Sequence, residues 1–301
     1  MADLADLFPG FESHWIDVSM GRIFARSAGD GPPIVLLHGF PQTHVCWHLV
    51  APLLAKTHRV VCMDMRGYGW SSAPESRDGA LYAKRAMAAD VVEAMSKLGH
   101  ARFAFAGHDR GARIGYRLAL DEPGRIERLA LLDILPTFRV WLEIQAGRQA
   151  ARHWEFLAKP APEPETEIAK DPIGYVDGLL SLWNREKSLA PFDPRALAHY
   201  HASGNEPSRI HAYCEDYRAG ATLDVEADVA DLAAGRKIAC PVLVLTGRFY
   251  LTGGEDAALA AWRESFAPQA VSASAESGHF LAEEAPEATA AALAHFLASP
   301  G

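Results

Sequence analysis

Phe105-Ala106-Gly107-His108-Asp109-Arg110-Gly111-Ala112 holds the residues of this chain best suited to chemistry. Two glycines flank Asp109 at the spacing of a nucleophile elbow, in which a sharp strand-to-helix turn lifts one side chain clear of the fold. A carboxylate at that point attacks a carbon bearing a leaving group, and the ester left on the protein is then hydrolysed. Aspartate is also a favoured helix N-cap, but the apolar run before it and the helical pattern after it fit the elbow as a whole. Arg110 sets a fixed positive charge beside the nucleophile, and Arg113 follows three residues later on a neighbouring helix face. Cations oppose the dipole at a helix N-terminus. Two of them there point to an anionic ligand, and a guanidinium fork matches a carboxylate. The competing reading of each arginine is a structural ion pair with a nearby acid.

An ester on Asp109 needs a base. Ser277-Gly278-His279-Phe280 supplies His279, with Gly278 before it and Glu283, Glu284 and Pro286 opening a terminal helix after it. The chain has 13 histidines, and its place after the last strand singles this one out. A carboxylate would orient the imidazole and stabilise its charged form. Asp133, in Leu131-Leu132-Asp133-Ile134-Leu135-Pro136, offers one at a strand end. Glu255 or Asp256, after Thr246-Gly247-Arg248-Phe249-Tyr250, is the rival; Asp133 is preferred because several residues separate those acids from their strand. His38-Gly39-Phe40-Pro41 completes the set. The backbone N–H of Phe40, with that of Arg110, would form an oxyanion hole.

These residues need a frame that brings segments more than a hundred residues apart to one edge. Short continuous apolar runs at 34–37, 60–63, 103–106, 129–132 and 242–245 read as buried parallel strands, alternating with helical patterns such as 84–98 and 255–266. Residues 12–27, with Gly21 at the turn, read as an antiparallel opening hairpin, and a last strand is expected near 269–274. The fold class is therefore α/β, a mostly parallel sheet with helices on both faces. From 137 to 211 strands are absent, aromatics are frequent and prolines cluster in Lys159-Pro160-Ala161-Pro162-Glu163-Pro164. That stretch is expected to be an inserted helical cap, with 1–136 and 212–301 forming the core.

Bulk properties narrow the partners. A chain of 301 residues with 49% hydrophobic and 22% charged residues is an ordinary soluble globular composition. Its net charge of −9 argues against nucleic acid and leaves the attraction of an anion to local arginines. Four scattered cysteines, Cys46, Cys62, Cys214 and Cys240, lack disulfide or zinc spacing. No apolar run approaches a membrane span, and acids stand where a signal peptide is basic. A cytoplasmic location is expected, with no metal, no organic cofactor and no membrane partner.

Together these segments resemble the fluoroacetate (haloacetate) dehalogenase family of the α/β-hydrolase superfamily. The likeness runs through His38-Gly39-Phe40-Pro41-Gln42-Thr43-His44, Arg66-Gly67-Tyr68-Gly69-Trp70-Ser71, Gly107-His108-Asp109-Arg110-Gly111-Ala112-Arg113 and Leu132-Asp133-Ile134-Leu135-Pro136-Thr137. It continues in His153-Trp154, Ala161-Pro162, Cys214-Glu215-Asp216-Tyr217-Arg218-Ala219-Gly220 and Glu276-Ser277-Gly278-His279-Phe280. The resemblance implies an α/β-hydrolase fold with Asp109 as nucleophile, His279 as base, Asp133 as its partner and Arg110 and Arg113 as a carboxylate clamp. It also implies that His153, Trp183 and Tyr217 hold the departing halide with Trp154 beside them, and that the chain forms a homodimer. Fluoride is strongly hydrated and leaves poorly, so donors already aimed at it are required. Arg248-Phe249-Tyr250-Leu251-Thr252-Gly253-Gly254, residues 138–152 and Asn184-Arg185-Glu186-Lys187 depart from the family pattern.

The activity so implied is hydrolysis of a small 2-haloacid, fluoroacetate to glycolate and fluoride, through an aspartyl ester. An epoxide hydrolase shares the Asp and His machinery and needs acidic cap groups, for which Tyr175, Tyr200, Tyr213 and Tyr217 are available. Arg110 counts against it, because a neutral epoxide has no use for that charge. A non-catalytic small-carboxylate-binding protein on the same scaffold is the third reading. A serine esterase is disfavoured by the absence of serine at the elbow.

Overall fold

The structure is a computed structural model that describes residues 4–147 and 151–299. Its strands are β1 (Glu12–Val18), β2 (Gly21–Ala28), β3 (Pro33–Leu37), β4 (Arg59–Met63), β5 (Phe103–His108), β6 (Ile126–Leu132), β7 (Val242–Gly247) and β8 (Val271–Ala275). They form one sheet in the order β1-β2-β4-β3-β5-β6-β7-β8. The β1–β2 hairpin and the β2–β4 pair are antiparallel; every pair from β4 to β8 is parallel. β5 and β7 are buried along their whole length, which is why they read as unbroken apolar runs rather than alternating ones.

Before β7 the helices are α1 (Ala51–Leu54), α2 (Lys84–Lys97), α3 (Arg110–Asp121), α4 (Thr137–Gln145), α5 (Arg152–Leu157), α6 (Glu163–Ile168), α7 (Pro172–Trp183), α8 (Pro194–Gly204), α9 (Pro207–Ala221) and α10 (Leu223–Ala233). After it come α11 (Gly254–Ser265), α12 (Leu281–Glu284) and α13 (Pro286–Ala298). Prolines that would break a helix interior instead start α7, α8 and α9, where the missing N–H is no loss. Asp171 and Asp193 cap the first two of these by accepting from Gly174 N and Arg195 N.

The helices α4 to α10 lie between β6 and β7 as the inserted layer. An end of this layer at 211 falls inside α9, and α10 still precedes β7. α9 is buried nearly throughout, from Ala212 to Tyr217 and again at Ala219 and Gly220. No polar stripe marks it as a helix over the core. Cys46, Cys62 and Cys214 are buried, and all four cysteines are unpaired. Among the described residues no helix is long and apolar enough to cross a membrane.

Candidate active site

Asp109 sits between the last residue of β5 and the first of α3 at φ 45° and ψ −115°. A non-glycine residue at positive φ is strained, and such strain persists only where its surroundings hold it. Here Asp109 N donates to Leu132 O at 3.2 Å, and Oδ1 accepts from Phe40 N at 3.0 Å. The loop carrying Phe40 passes so close that a Cβ on Gly39 would lie 2.4 Å from Asp109 Cβ. His38 fixes that loop: its Nδ1 lies 2.9 Å from Gly39 O, and Nε2 accepts from Met65 N at 3.1 Å. Burial pushes His38 down to about 4, so the ring is neutral, as this pair of bonds requires.

His279 follows β8 and meets both carboxylates. Its Nδ1 is 2.6 Å from Asp133 Oδ2, and its Nε2 is 3.9 Å from Asp109 Oδ2. Asp133, at φ 56° just after β6, also accepts from Gly247 N at 2.9 Å. Glu255 and Asp256 instead occupy the first turn of α11, where Glu255 accepts from Ser272 Oγ at 2.7 Å. The structure thus brings Asp133 to the imidazole and leaves the rival acids elsewhere. Burial pushes His279 down to about 4 against the pull of Asp109, so the ring is neutral at physiological pH. With the proton on Nδ1 facing Asp133, Nε2 is a free acceptor. Burial would raise Asp109, but the His279 ring, once protonated at low pH, and the fixed charges of Arg113 and Arg110 outweigh it and hold the carboxyl below its ordinary range.

The two arginines divide. Arg110 is enclosed and bound to Asp216 of α9: Nε to Oδ2 at 3.1 Å, Nη2 to Oδ1 at 2.6 Å and Nη2 to the Asp216 carbonyl at 2.7 Å. Asp216 also takes the buried Lys84 ammonium and the Tyr68 hydroxyl. The ion-pair reading therefore holds for Arg110, through an acid 106 residues away that no local signal reveals. Its guanidinium lies 4.2 Å from the Tyr217 ring centre, and Nη1 is buried without a partner. Arg113 has no ion pair among the described residues. It donates through Nη1 to Leu135 O and Thr137 Oγ1, lies 4.5 Å from the Trp154 ring centre, and keeps Nε unpartnered.

Above these, the cap contributes an aromatic cluster. His153 lies 4.4 Å from Trp183 and 5.9 Å from Tyr217, centre to centre, and Trp154 lies 5.7 Å from Tyr217. Among the described residues, the His153 ring nitrogens, Trp183 Nε1 and the Tyr217 hydroxyl have no hydrogen-bond partner. Burial pushes His153 down to about 3, leaving a neutral ring with one N–H to give. A cleft of about 850 Å³ runs between Asp109, Arg113 and His279 on the core side and His153, Trp154 and Trp183 on the cap side. Core and cap are clasped beside it. His279 N donates to Trp183 O at 2.9 Å, and Glu284 accepts from Gly278 N, Phe280 N and Arg185 N.

Comparison with known proteins follows the same lines. The α/β-hydrolase fold family matches residues 32–286. A fluoroacetate dehalogenase from Burkholderia sp is 43% identical over 97% of this chain and 95% of its own length. A soluble epoxide hydrolase from Corynebacterium sp. (strain C12) is 31% identical over 88% of this chain and 90% of its own. A crystal structure from Nostoc sp PCC 7120, described as an α/β hydrolase, is 47% identical, with a TM-score of 0.90 over 96% of this chain and 99% of that one. A Pseudomonas aeruginosa structure described as an epoxide hydrolase mutant with bound MFA is 42% identical, with a TM-score of 0.89 over 98% of both chains. On fold and relatives alike, the chain belongs to the α/β-hydrolase family and, within it, to the family of the fluoroacetate dehalogenases.

Proposed function

We propose that this hydrolase cleaves the carbon–halogen bond of small 2-haloacids, fluoroacetate among them, through an ester on Asp109. One observation carries the reading: an imidazole, an indole and a phenol with unpartnered polar groups gather in the cap over a buried carboxylate held at an elbow. A departing halide needs donors already in place, since reorienting them in the transition state would cost part of the rate.

Arg113, with the free Nη1 of Arg110, binds the substrate carboxylate. Oδ1 of Asp109 is engaged by Phe40 N, so Oδ2 forms the new bond to the α-carbon. The carbon–halogen electron pair leaves with the halide toward His153, Trp183 and Tyr217. Water then gives a proton to His279 Nε2 as its oxygen bonds to the Asp109 carboxyl carbon, with the Phe40 and Arg110 amides on the oxyanion. Collapse breaks the bond from that carbon to the substrate oxygen, which takes the proton from His279 and departs as a 2-hydroxyacid.

Epoxide hydrolysis is the second reading, favoured by the free hydroxyls of Tyr175 and Tyr217. Tyr200 and Tyr213 are already committed to Glu283 and Ser203. Arg113 in the cleft has no part in that chemistry. Fluoride release from fluoroacetate, followed with an electrode, tests the choice. Release from the native protein and its loss in Asp109→Asn by at least about a thousandfold are expected. A single turnover in oxygen-18 water should label Asp109 rather than the product. Turnover of styrene oxide without any haloacid activity overturns the dehalogenase reading, and binding of haloacetates without turnover of either substrate leaves a carboxylate-binding protein.

A further inference from the structure

The loop joining β7 to α11 departs from the family pattern, and it sets one side chain against the base. The ring of Tyr250 lies 4.2 Å from that of His279, centre to centre, with the planes 34° apart. It also lies 6.4 Å from Trp183 of the cap, and all three residues line the same cleft. Among the described residues the Tyr250 hydroxyl has no hydrogen-bond partner, so ring contact, not a polar tether, defines its place.

Each element around His279 contributes something different. The elbow brings Asp109, Arg113 and the His108 ring, 4.5 Å away centre to centre; His108 holds the His279 carbonyl through Nε2 at 2.7 Å. The segment after β6 brings Asp133, α12 brings Glu284, and the cap brings Trp183 edge-on at 5.7 Å. Only Tyr250 comes from the loop after β7, as a neutral ring laid at a shallow angle to the imidazole.

We propose that Tyr250 is a positioning residue for the base: its ring covers the cleft side of the His279 imidazole, fixes the ring plane and keeps bulk water away from it. The inference rests on the Asp109–His279–Asp133 assignment, not on which halide is removed. An imidazole ring face denied water disfavours its cation, and the base therefore stays free at lower pH. The hydroxyl plays no part in this; the ring does.

The test is an NMR titration of the His279 ring nitrogens in the native protein, Tyr250→Phe and Tyr250→Gly, paired with the pH dependence of chloroacetate turnover. Tyr250→Phe keeps the ring and should titrate with the native protein. Tyr250→Gly admits water and should titrate about one pH unit higher, with the acid limb of kcat moving the same way. Tyr250→Ser serves by the same criteria should the glycine variant not fold. A glycine or serine variant whose His279 titrates with the native protein overturns the proposal, as does a phenylalanine variant that shifts as far as glycine. Absence of chloroacetate turnover in every protein would count against the proposed function alone, because the titration is read without substrate.

Discussion

Arg110 and Arg113 stand three residues apart on one helix, yet burial has tied them to different partners. Arg110 is locked to Asp216 with Lys84 on the far side, while Arg113 faces the cleft with Nε free. Removing one member of a buried ion pair costs about 3–5 kcal/mol. Arg110→Met should therefore lower the unfolding free energy by about that amount, read by urea denaturation. On the proposed function, Arg113→Met removes a charge-assisted bond to the substrate, worth about 1.5–3 kcal/mol. It should raise KM for chloroacetate at least about tenfold, with a much smaller loss of stability. Equal stability losses in the two variants would erase the distinction. Their spacing is visible in the sequence, but the division is not: it depends on Asp216, which reaches Arg110 only after α9 folds across the core.

At the scale of elements, the site exists because two layers meet at Gly278. A Cβ there would lie 2.5–2.6 Å from the backbone of Trp183, Asn184 and Arg185. These are main-chain atoms that cannot swing aside as a side-chain tip would. Gly278→Ala should therefore push the end of α7 off the core and break the bond from His279 N to Trp183 O. Displacing a donor by about 1 Å costs on the order of a hundredfold in rate. On the proposed function, fluoroacetate turnover should fall further than chloroacetate turnover, because chloride would depend less on a Trp183 donor; an equal fall in both would place the damage at Asp109 or His279 instead. The strands were legible for the reason that made them buried: parallel strands covered on both faces, such as 34–37 and 242–245, cannot carry polar residues. The burial of α9 against the core and the approach of Tyr250 were illegible, since both arise from packing between segments whose own patterns are silent about it.

Across the whole molecule, acids outnumber bases, with a net charge of −9, and several acids are nevertheless buried. Glu283, on α12 just beyond His279, joins the core to the cap: it accepts from Tyr200 Oη of α8 at 3.0 Å and from the Gln42 amide. Burial pushes its carboxyl up to about 8, whereas an unfolded chain would ionise it near about 4.3. Between these values folding takes up a proton. The stability this group contributes is fully present below the unfolded pKa and is lost as pH rises toward 8. Glu283→Gln keeps an acceptor for Gln42 and can donate to the Tyr200 oxygen, yet it has no charge to bury. Its Tm should exceed the native value at pH 8.5, and the difference should shrink steadily toward pH 5. A constant difference across that range would mean that Glu283 is ionised in the native fold, with the carboxylate held by its two donors. The slope of Tm against pH therefore separates a protonated clasp between core and cap from a charged one.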